Sequence, residues 1–374
     1  MEIFLLPGYA ILENIGIEPS TLAQQVPLQQ LDHYIAVINW LTDYQVSSNS
    51  THRQKLEGYL QALYHLCDAQ AWQKASGILS MALTPPSQQQ FHQQLAIWGC
   101  YAELIQLYEN LLGNLDPVTE LAYLCGLGNV YYNMSQYSHC FKCYQKGLEI
   151  ATEIGDEPMK AQLMNNLGSV YLMQSNHTTA IQFYEQGLTI AQKIGDRHLQ
   201  NIVNTRLGLA YIYLGQYNKA LACYENELVN VREIGTPEQE SIVLTSLGLV
   251  YICLEDYLQA LNYNRQGLEI AQKIGYKTQE AWGMCNLGKT LMRMNQYQET
   301  EEYLQSALTI FREMECRRAA SEVLETLSEL YQRMNLLILS SQCYEEAVAI
   351  TQELGTPLIN PTSKNRFLRL SYGD

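Results

Sequence analysis

The chain has 374 residues, in which 38 Asp and Glu outnumber 23 Lys and Arg and give a formal net charge of -15. A balance this acidic excludes nucleic acid and anionic membranes as partners held by bulk electrostatics, because phosphate groups need clustered Lys and Arg. Hydrophobic residues make up 47% of the chain, which predicts a packed core rather than disorder.

The first 118 residues are less regular than those that follow. Residues 1–50 predict a lead punctuated by Pro and Gly and then one helix, from Leu28 to Tyr44. Residues 51–118 predict a degenerate helical cap, with Trp72 and Tyr108 at aromatic positions of two incomplete repeats. No basic segment followed by a long apolar stretch opens the chain, and no segment approaches the length of a membrane span. A cytoplasmic location is therefore expected, and it is compatible with peripheral attachment to a membrane complex.

From residue 119 onward the pattern Leu-Gly-x-x-Tyr, or a close variant of it, returns every 40 residues without insertions. Self-similarity at a fixed period of this length indicates stacked supersecondary units. Six such units are predicted over residues 119–360. Their first leucines are Leu127, Leu167, Leu207, Leu247, Leu287 and Leu327.

Each unit is predicted to form two antiparallel helices, A and B. Helix A carries the leucine, glycine and tyrosine, and its glycine lets helix B approach closely. Helix B opens with an aromatic residue, which is Tyr137 in the first unit. Glycines such as Gly155 and Gly235 close the units, where a left-handed conformation suits the residue after a helix. Thr236 and Gln239 predict a capping box at the start of the fourth unit.

This pattern resembles the tetratricopeptide repeat family, whose helix A carries Leu-Gly-x-x-Tyr and whose helix B carries alanines and an aromatic. The 40-residue period resembles the long-repeat branch, which includes kinesin light chains, polarity adaptors of the Pins type and bacterial peptide receptors. The family's tryptophan near the start of helix A is replaced here by residues such as Leu124 and Met164. The resemblance implies an all-α fold, a right-handed superhelical solenoid of antiparallel helix pairs that acts through protein–protein interaction.

Two segments mimic chemical motifs. Gly283 to Thr290 satisfies the phosphate-binding loop pattern, but it lies inside the predicted helix A of the fifth unit with no strand before it. Cys140 and Cys143 form a CxxC pair on one predicted helix, where they supply at most two metal ligands, and no second pair completes a tetrahedron. We therefore predict no catalytic residue, no cofactor and no metal site.

The candidate functional surface is the concave groove that helix A lines in stacked helix pairs. Its centre reads as apolar and its sides carry amides or charges, which suits a protein or peptide segment with an apolar centre. Asn166 and Asn286 match positions where the long-repeat family holds a peptide backbone. The alternative is that the apolar members pack within the superhelix or against another protomer. The predicted groove residues are Asn129, Tyr132, Asn165, Asn166, Arg206, Leu209, Ile212, Tyr213, Leu249, Ile252, Asn286, Lys289 and Arg293.

The segment 361–374 changes character, since it is basic and apolar in an acidic chain. It is predicted either to cap the sixth unit or to dock on an acidic surface, which would allow self-association through the tail. The leading hypothesis for the whole chain is a non-catalytic protein–protein interaction scaffold or assembly adaptor. The alternative is a peptide- or ligand-sensing regulator whose superhelix changes shape on binding.

Overall fold

The computed structural model of the protein describes residues 6–44, 52–82, 90–97, 99–314 and 316–353. Within these ranges the chain is all-α, apart from one isolated antiparallel bridge between Ala82 and Gln90. None of the helices in the described ranges has both the length and the hydropathy needed to cross a bilayer. The basic tail predicted at 361–374 lies outside the described residues, so its role stays a prediction.

The chain divides into two compact units, residues 1–159 and 160–374. The division into four segments that the sequence suggested stays a prediction. The described helices of the first unit are α1 (Gly8–Asn14), α2 (Leu22–Gln25), α3 (Leu31–Thr42), α4 (His52–Asp68), α5 (Trp72–Leu79), α6 (Phe91–Ile97), α7 (Tyr101–Leu111), α8 (Pro117–Asn133) and α9 (Tyr137–Ile154), with a short 3-10 turn at Leu28–Gln30 before α3.

The second unit is a row of regular helix pairs. Its helices are α10 (Glu157–Met173), α11 (His177–Ile194), α12 (Arg197–Tyr213), α13 (Tyr217–Ile234), α14 (Pro237–Cys253), α15 (Tyr257–Ile274), α16 (Lys277–Arg293), α17 (Tyr297–Glu313), α18 (Arg317–Arg333) and α19 (Leu337–Glu353). Even-numbered members are the predicted A helices and odd-numbered members the B helices. Each A helix packs against its own B helix and against the preceding B helix, and α12, α14, α16 and α18 also contact one another in sequence. The fold is thus a solenoid of antiparallel helix pairs, as the period predicted.

The glycine of the Leu-Gly pair is a packing device. A Cβ placed on Gly168 would lie 2.6 Å from a ring carbon of Tyr184, and one on Gly208 would lie 2.6 Å from the ring of Tyr224. The tyrosine ring of helix B therefore lies directly on the backbone of helix A, and it is fully buried there. This close contact accounts for much of the tyrosine excess, 27 Tyr against 6 Phe.

The ends of the helices follow the local sequence signals with one exception. Gly155, Gly195 and Gly275 adopt the left-handed conformation predicted for them, with φ near 70°. Gly235 was expected to do the same, but its φ is -86° and its backbone is extended. The cause is the capping box that follows, because the Thr236 amide donates to Gln239 Oε1 instead of to the end of α13.

Candidate functional site

The A helices of the second unit carry a layer of polar side chains that the rest of the core does not have. Near its start, the Arg206 guanidinium on α12 donates from Nη1 to Ser169 Oγ on α10, at 3.1 Å. Tyr184 OH also donates to this hydroxyl, at 3.2 Å. Asn165 Nδ2 is 3.4 Å from Asn166 Oδ1 on the same helix. Three of the predicted residues, Asn165, Asn166 and Arg206, are thus gathered at one place.

The next polar group along the row lies inside the third repeat. Glu227 on α13 is 3% exposed and accepts a 2.7 Å hydrogen bond from Thr205 Oγ1 on α12. Burial raises the pKa of the Glu227 carboxyl to about 8. Asn201, one turn before Thr205, is also buried. The sequence analysis missed both Glu227 and Asn201; the available signal was that Glu227 breaks the small-residue pattern of its helix position.

A third group connects α14 to α16. Asn286 Nδ2 donates to the Thr245 carbonyl oxygen at 3.4 Å, and Gln279 Nε2 donates to Thr245 Oγ1 at 2.5 Å. Ser241 Oγ donates to the Gly267 carbonyl at 2.7 Å and so extends the group to α15. Asn286, which the sequence singled out, therefore joins two successive A helices.

Lys289 and Arg293 follow on α16, one turn and two turns beyond Cys285. Lys289 is only 2% exposed, although it carries an ammonium group. Both cations lie close enough to Cys253 on α14 to favour its thiolate, yet burial is the larger effect and raises the pKa of the Cys253 thiol to about 12. The thiol is therefore neutral near pH 7 and does not balance the two positive charges.

Four buried polar atoms on these A helices have no hydrogen-bond partner within the described residues. They are Asn165 Oδ1, Asn201 Oδ1, Asn286 Oδ1 and Lys289 Nζ. A buried polar group without a partner costs about 1–3 kcal/mol, and a charged group costs more. Their concentration on α10, α12 and α16 marks this layer as the place where the second unit can accept groups from another molecule.

The aliphatic members of the predicted groove have a different position. Leu209, Ile212 and Leu249 belong to one hydrophobic core cluster, and Ile252 is 5% exposed. They pack within the helix stack, which is the alternative weighed from the sequence. Tyr213 remains partly exposed and stacks on the His177 ring with centroids 5.0 Å apart. That the predicted residues bind a partner stays a prediction.

The two remaining predicted residues belong to the first unit. Asn129 on α8 is exposed, and its Oδ1 accepts a 2.5 Å hydrogen bond from Tyr144 OH. Tyr132 is half-buried, and its ring meets Tyr137 edge-on at 5.8 Å between centroids. Both side chains are thus held in place by helix α9.

The two chemical mimics are ordinary helix. Residues 283–290 lie within α16, in which Gly283 and Gly288 are buried. The segment is therefore not a phosphate-cradling loop between a strand and a helix. Cys140 and Cys143 are buried free thiols on α9, and burial raises their pKa values to about 12 and about 11. Neither has the low pKa of a reactive thiolate.

Comparison with known proteins agrees with this geometry. Residues 118–193 and 199–273 match one model of the tetratricopeptide repeat, and residues 281–314 match a second. No curated protein sequence matches the chain.

Among solved structures, the chain is similar to three proteins with Rap-type or phosphatase names. The apo form of RapI is 16% identical, with 71% of this chain and 96% of that chain covered and a TM-score of 0.61. Aspartyl phosphate phosphatase F from Bacillus subtilis is 13% identical, with 92% and 90% covered and a TM-score of 0.62. The Rap conjugation gene regulator of the plasmid pLS20, in complex with the Phr* peptide, is 15% identical, with 90% and 88% covered and a TM-score of 0.58. Identities this low establish a shared fold and nothing further.

Proposed function

Because the chain contains tetratricopeptide repeats over residues 118–193, 199–273 and 281–314, we propose that it is a non-catalytic protein–protein interaction scaffold. It binds a segment of a partner protein along the A helices α10 to α16. The observation that carries this proposal is the row of buried amide and ammonium groups without partners on those helices.

The chemistry of the row defines the partner. Asparagine side chains offer both a donor and an acceptor, which suits the backbone of an extended peptide. Lys289, with Arg293 one turn on, suits a carboxylate of that peptide. Lysine and asparagine side chains change rotamer readily, so they can turn toward a ligand that offers these groups. Tyr213 is the predicted apolar residue left partly exposed for the centre of the segment.

A peptide selection tests this proposal. A displayed library of random peptides is selected on the full chain, and the affinity of enriched peptides is measured by fluorescence anisotropy. Enriched peptides are expected to carry an acidic residue and to bind a Lys289→Met variant at least tenfold more weakly, since one buried charge-assisted contact is worth about 1.5–3 kcal/mol. Lys273→Met, an exposed lysine on the B helix α15, is the matched control and is expected to bind like the wild type. An absence of enriched peptides, or equal affinity for both variants, would contradict the proposal.

A second candidate function is a peptide-sensing regulator whose helix stack changes shape on binding. The observation that favours it is that Arg206 connects α10 to α12 and Asn286 connects α14 to α16, so a ligand that competes for these groups alters the contacts between repeats. One of the similar structures, at low identity, is itself a complex with a peptide. Small-angle scattering with and without a selected peptide tests this function. A radius of gyration that falls on binding supports the regulator, and an unchanged one favours the plain scaffold.

The free thiols support a reducing compartment. All ten cysteines lie in the described ranges and none forms a disulfide. Persistent thiols are typical of the cytoplasm. We propose that compartment as the site of action.

A further inference from the structure

Two histidines of the first unit meet on neighbouring helices. His33 lies near the start of α3 and His65 near the end of α4, and their Nδ1 atoms are 3.2 Å apart. Their ring centroids are 5.5 Å apart, with the planes inclined at 53°. The same antiparallel register sets Gly58 of α4 against the Trp40 carbonyl, where an added Cβ would lie only 2.6 Å from the oxygen. The absence of a side chain at Gly58 thus permits the close approach that brings the histidines together.

A carboxylate completes the group. Asp68 lies one turn after His65 on α4, on the same helix face. One ligand atom from each of His33, His65 and Asp68 lies within 4.8 Å of the other two. Among the described residues, no Lys or Arg forms an ion pair with Asp68. Its negative charge is therefore available to a cation.

The spacing fits a transition metal as well as it fits a shared proton. Two nitrogens bound to one tetrahedral zinc ion at about 2.0–2.1 Å lie roughly 3.3–3.4 Å apart, close to the separation of the two Nδ1 atoms. A hydrogen bond between the rings would use the same distance but would leave the aspartate without a role. Two imidazoles and one carboxylate form a ligand set that zinc and similar divalent ions take.

We propose that His33, His65 and Asp68 form a binding site for a divalent transition-metal ion, with Zn²⁺ as the ion that best suits these ligands. The two half-buried histidines provide the fixed part of the site. Asp68 is exposed, so its side chain can rotate to close the coordination. The ion would fasten α3 to α4 in the first unit and keep at least one position for water or an outside ligand.

Calorimetric titration of zinc chloride into the chelator-treated full chain tests the proposal. The wild type is expected to bind one ion, and His33→Gln or His65→Gln to bind at least tenfold more weakly. Asp68→Asn is expected to weaken binding less, because the two histidines remain. His198→Gln changes an exposed histidine of the second unit, and it is expected to bind like the wild type.

Two further readouts separate loss of binding from loss of folding. Circular dichroism of the metal-free variants must match that of the wild type. Zinc should raise the thermal midpoint of the wild type and of His198→Gln but leave that of His33→Gln unchanged, since only a ligand bound to the native state stabilises it. A wild-type chain that takes up no zinc, or His33→Gln and His65→Gln variants that bind it as tightly as His198→Gln, would overturn the proposal.

Discussion

At the scale of the single residue, Glu227 is the position where this repeat departs most from its neighbours. The equivalent residue of the other B helices is Gly147, Gly187, Gly267, Ala307 or Ala347. At Gly187 the nearest atom to an added Cβ is the Ala161 carbonyl oxygen, 3.1 Å away. Glu227 therefore places a carboxyl group in a space that fits a hydrogen atom or a methyl group elsewhere.

The pKa of about 8 for Glu227 predicts a loss of stability as pH rises. An unfolded chain ionises this carboxyl near pH 4.5, whereas the folded chain keeps it protonated up to about pH 8. Folding therefore takes up a proton in that window, and the free energy of unfolding falls by up to about 1.4 kcal/mol per pH unit. Below pH 4.5 and above pH 8 the contribution is constant. Urea unfolding from pH 5 to pH 9 measures it.

Glu227→Gln provides the comparison, because the amide keeps an acceptor for Thr205 Oγ1 and does not titrate. The variant is expected to be more stable than the wild type above neutral pH, with a difference that grows between pH 5 and pH 8. A difference that stays constant over this range would show that Glu227 ionises normally in the folded chain.

At the scale of the element, the turn between helices A and B repeats one strained conformation. Ser135, Ser175, Glu255, Asn295 and Asn335 each occupy the third residue after the end of the leucine-glycine helix face, and all have φ between 55° and 62°. The third repeat places Gly215 there, with φ of 71°. A residue with a Cβ pays about 1–2 kcal/mol in this left-handed region, and glycine does not.

Glu255→Gly is accordingly expected to stabilise the chain by up to about 1 kcal/mol, because glycine's greater freedom in the unfolded chain offsets part of the strain relief. Thermal unfolding of the variant measures the effect. Glu255→Ala is the matched control, since it removes the same carboxylate but retains the Cβ. If both variants shift the midpoint equally, the charge of Glu255 and not its backbone conformation is responsible.

Elements were more predictable from the sequence than sites. The 40-residue period placed the helices α8 to α19 because each repeat uses the same Leu-Gly contact with helix B, as Gly168 and Tyr184 show. The burial of Leu209 and Leu249 did not follow from the period, since it depends on how successive A helices pack. His33 and His65 lie 32 residues apart in non-repeated helices. Their meeting depends on the register of α3 and α4, which no local pattern encodes.

At the scale of the whole molecule, the dominant property is the formal charge of -15. The described ion pairs, such as Arg232 with Glu240 and Arg333 with Glu329, are at least partly exposed and offset little of the mutual repulsion. A compact chain with this excess of acid is destabilised by its own field, and dissolved salt screens that field.

The thermal midpoint of the full chain is therefore expected to rise as sodium chloride increases from low to physiological ionic strength. Differential scanning calorimetry measures the shift. Lys289→Met is the informative companion, because an equal slope in that variant assigns the effect to the whole surface, and a smaller slope assigns it to chloride at this one ammonium group. A midpoint that falls with salt would contradict the argument.

The polar layer also bears on how near-identical repeats avoid joining in the wrong order. Uniform units can dock out of sequence while the chain folds, which is a recognised hazard of repeat proteins. Here each junction has its own cross-link, so an error leaves a charge against hydrocarbon. If α12 docked on α14 in place of α10, Arg206 would meet Leu249 where it now finds Ser169. If α13 paired with α16, Glu227 would meet Cys285 where it now accepts from Thr205. The same side chains that offer themselves to a partner thus give every repeat its own address along the chain.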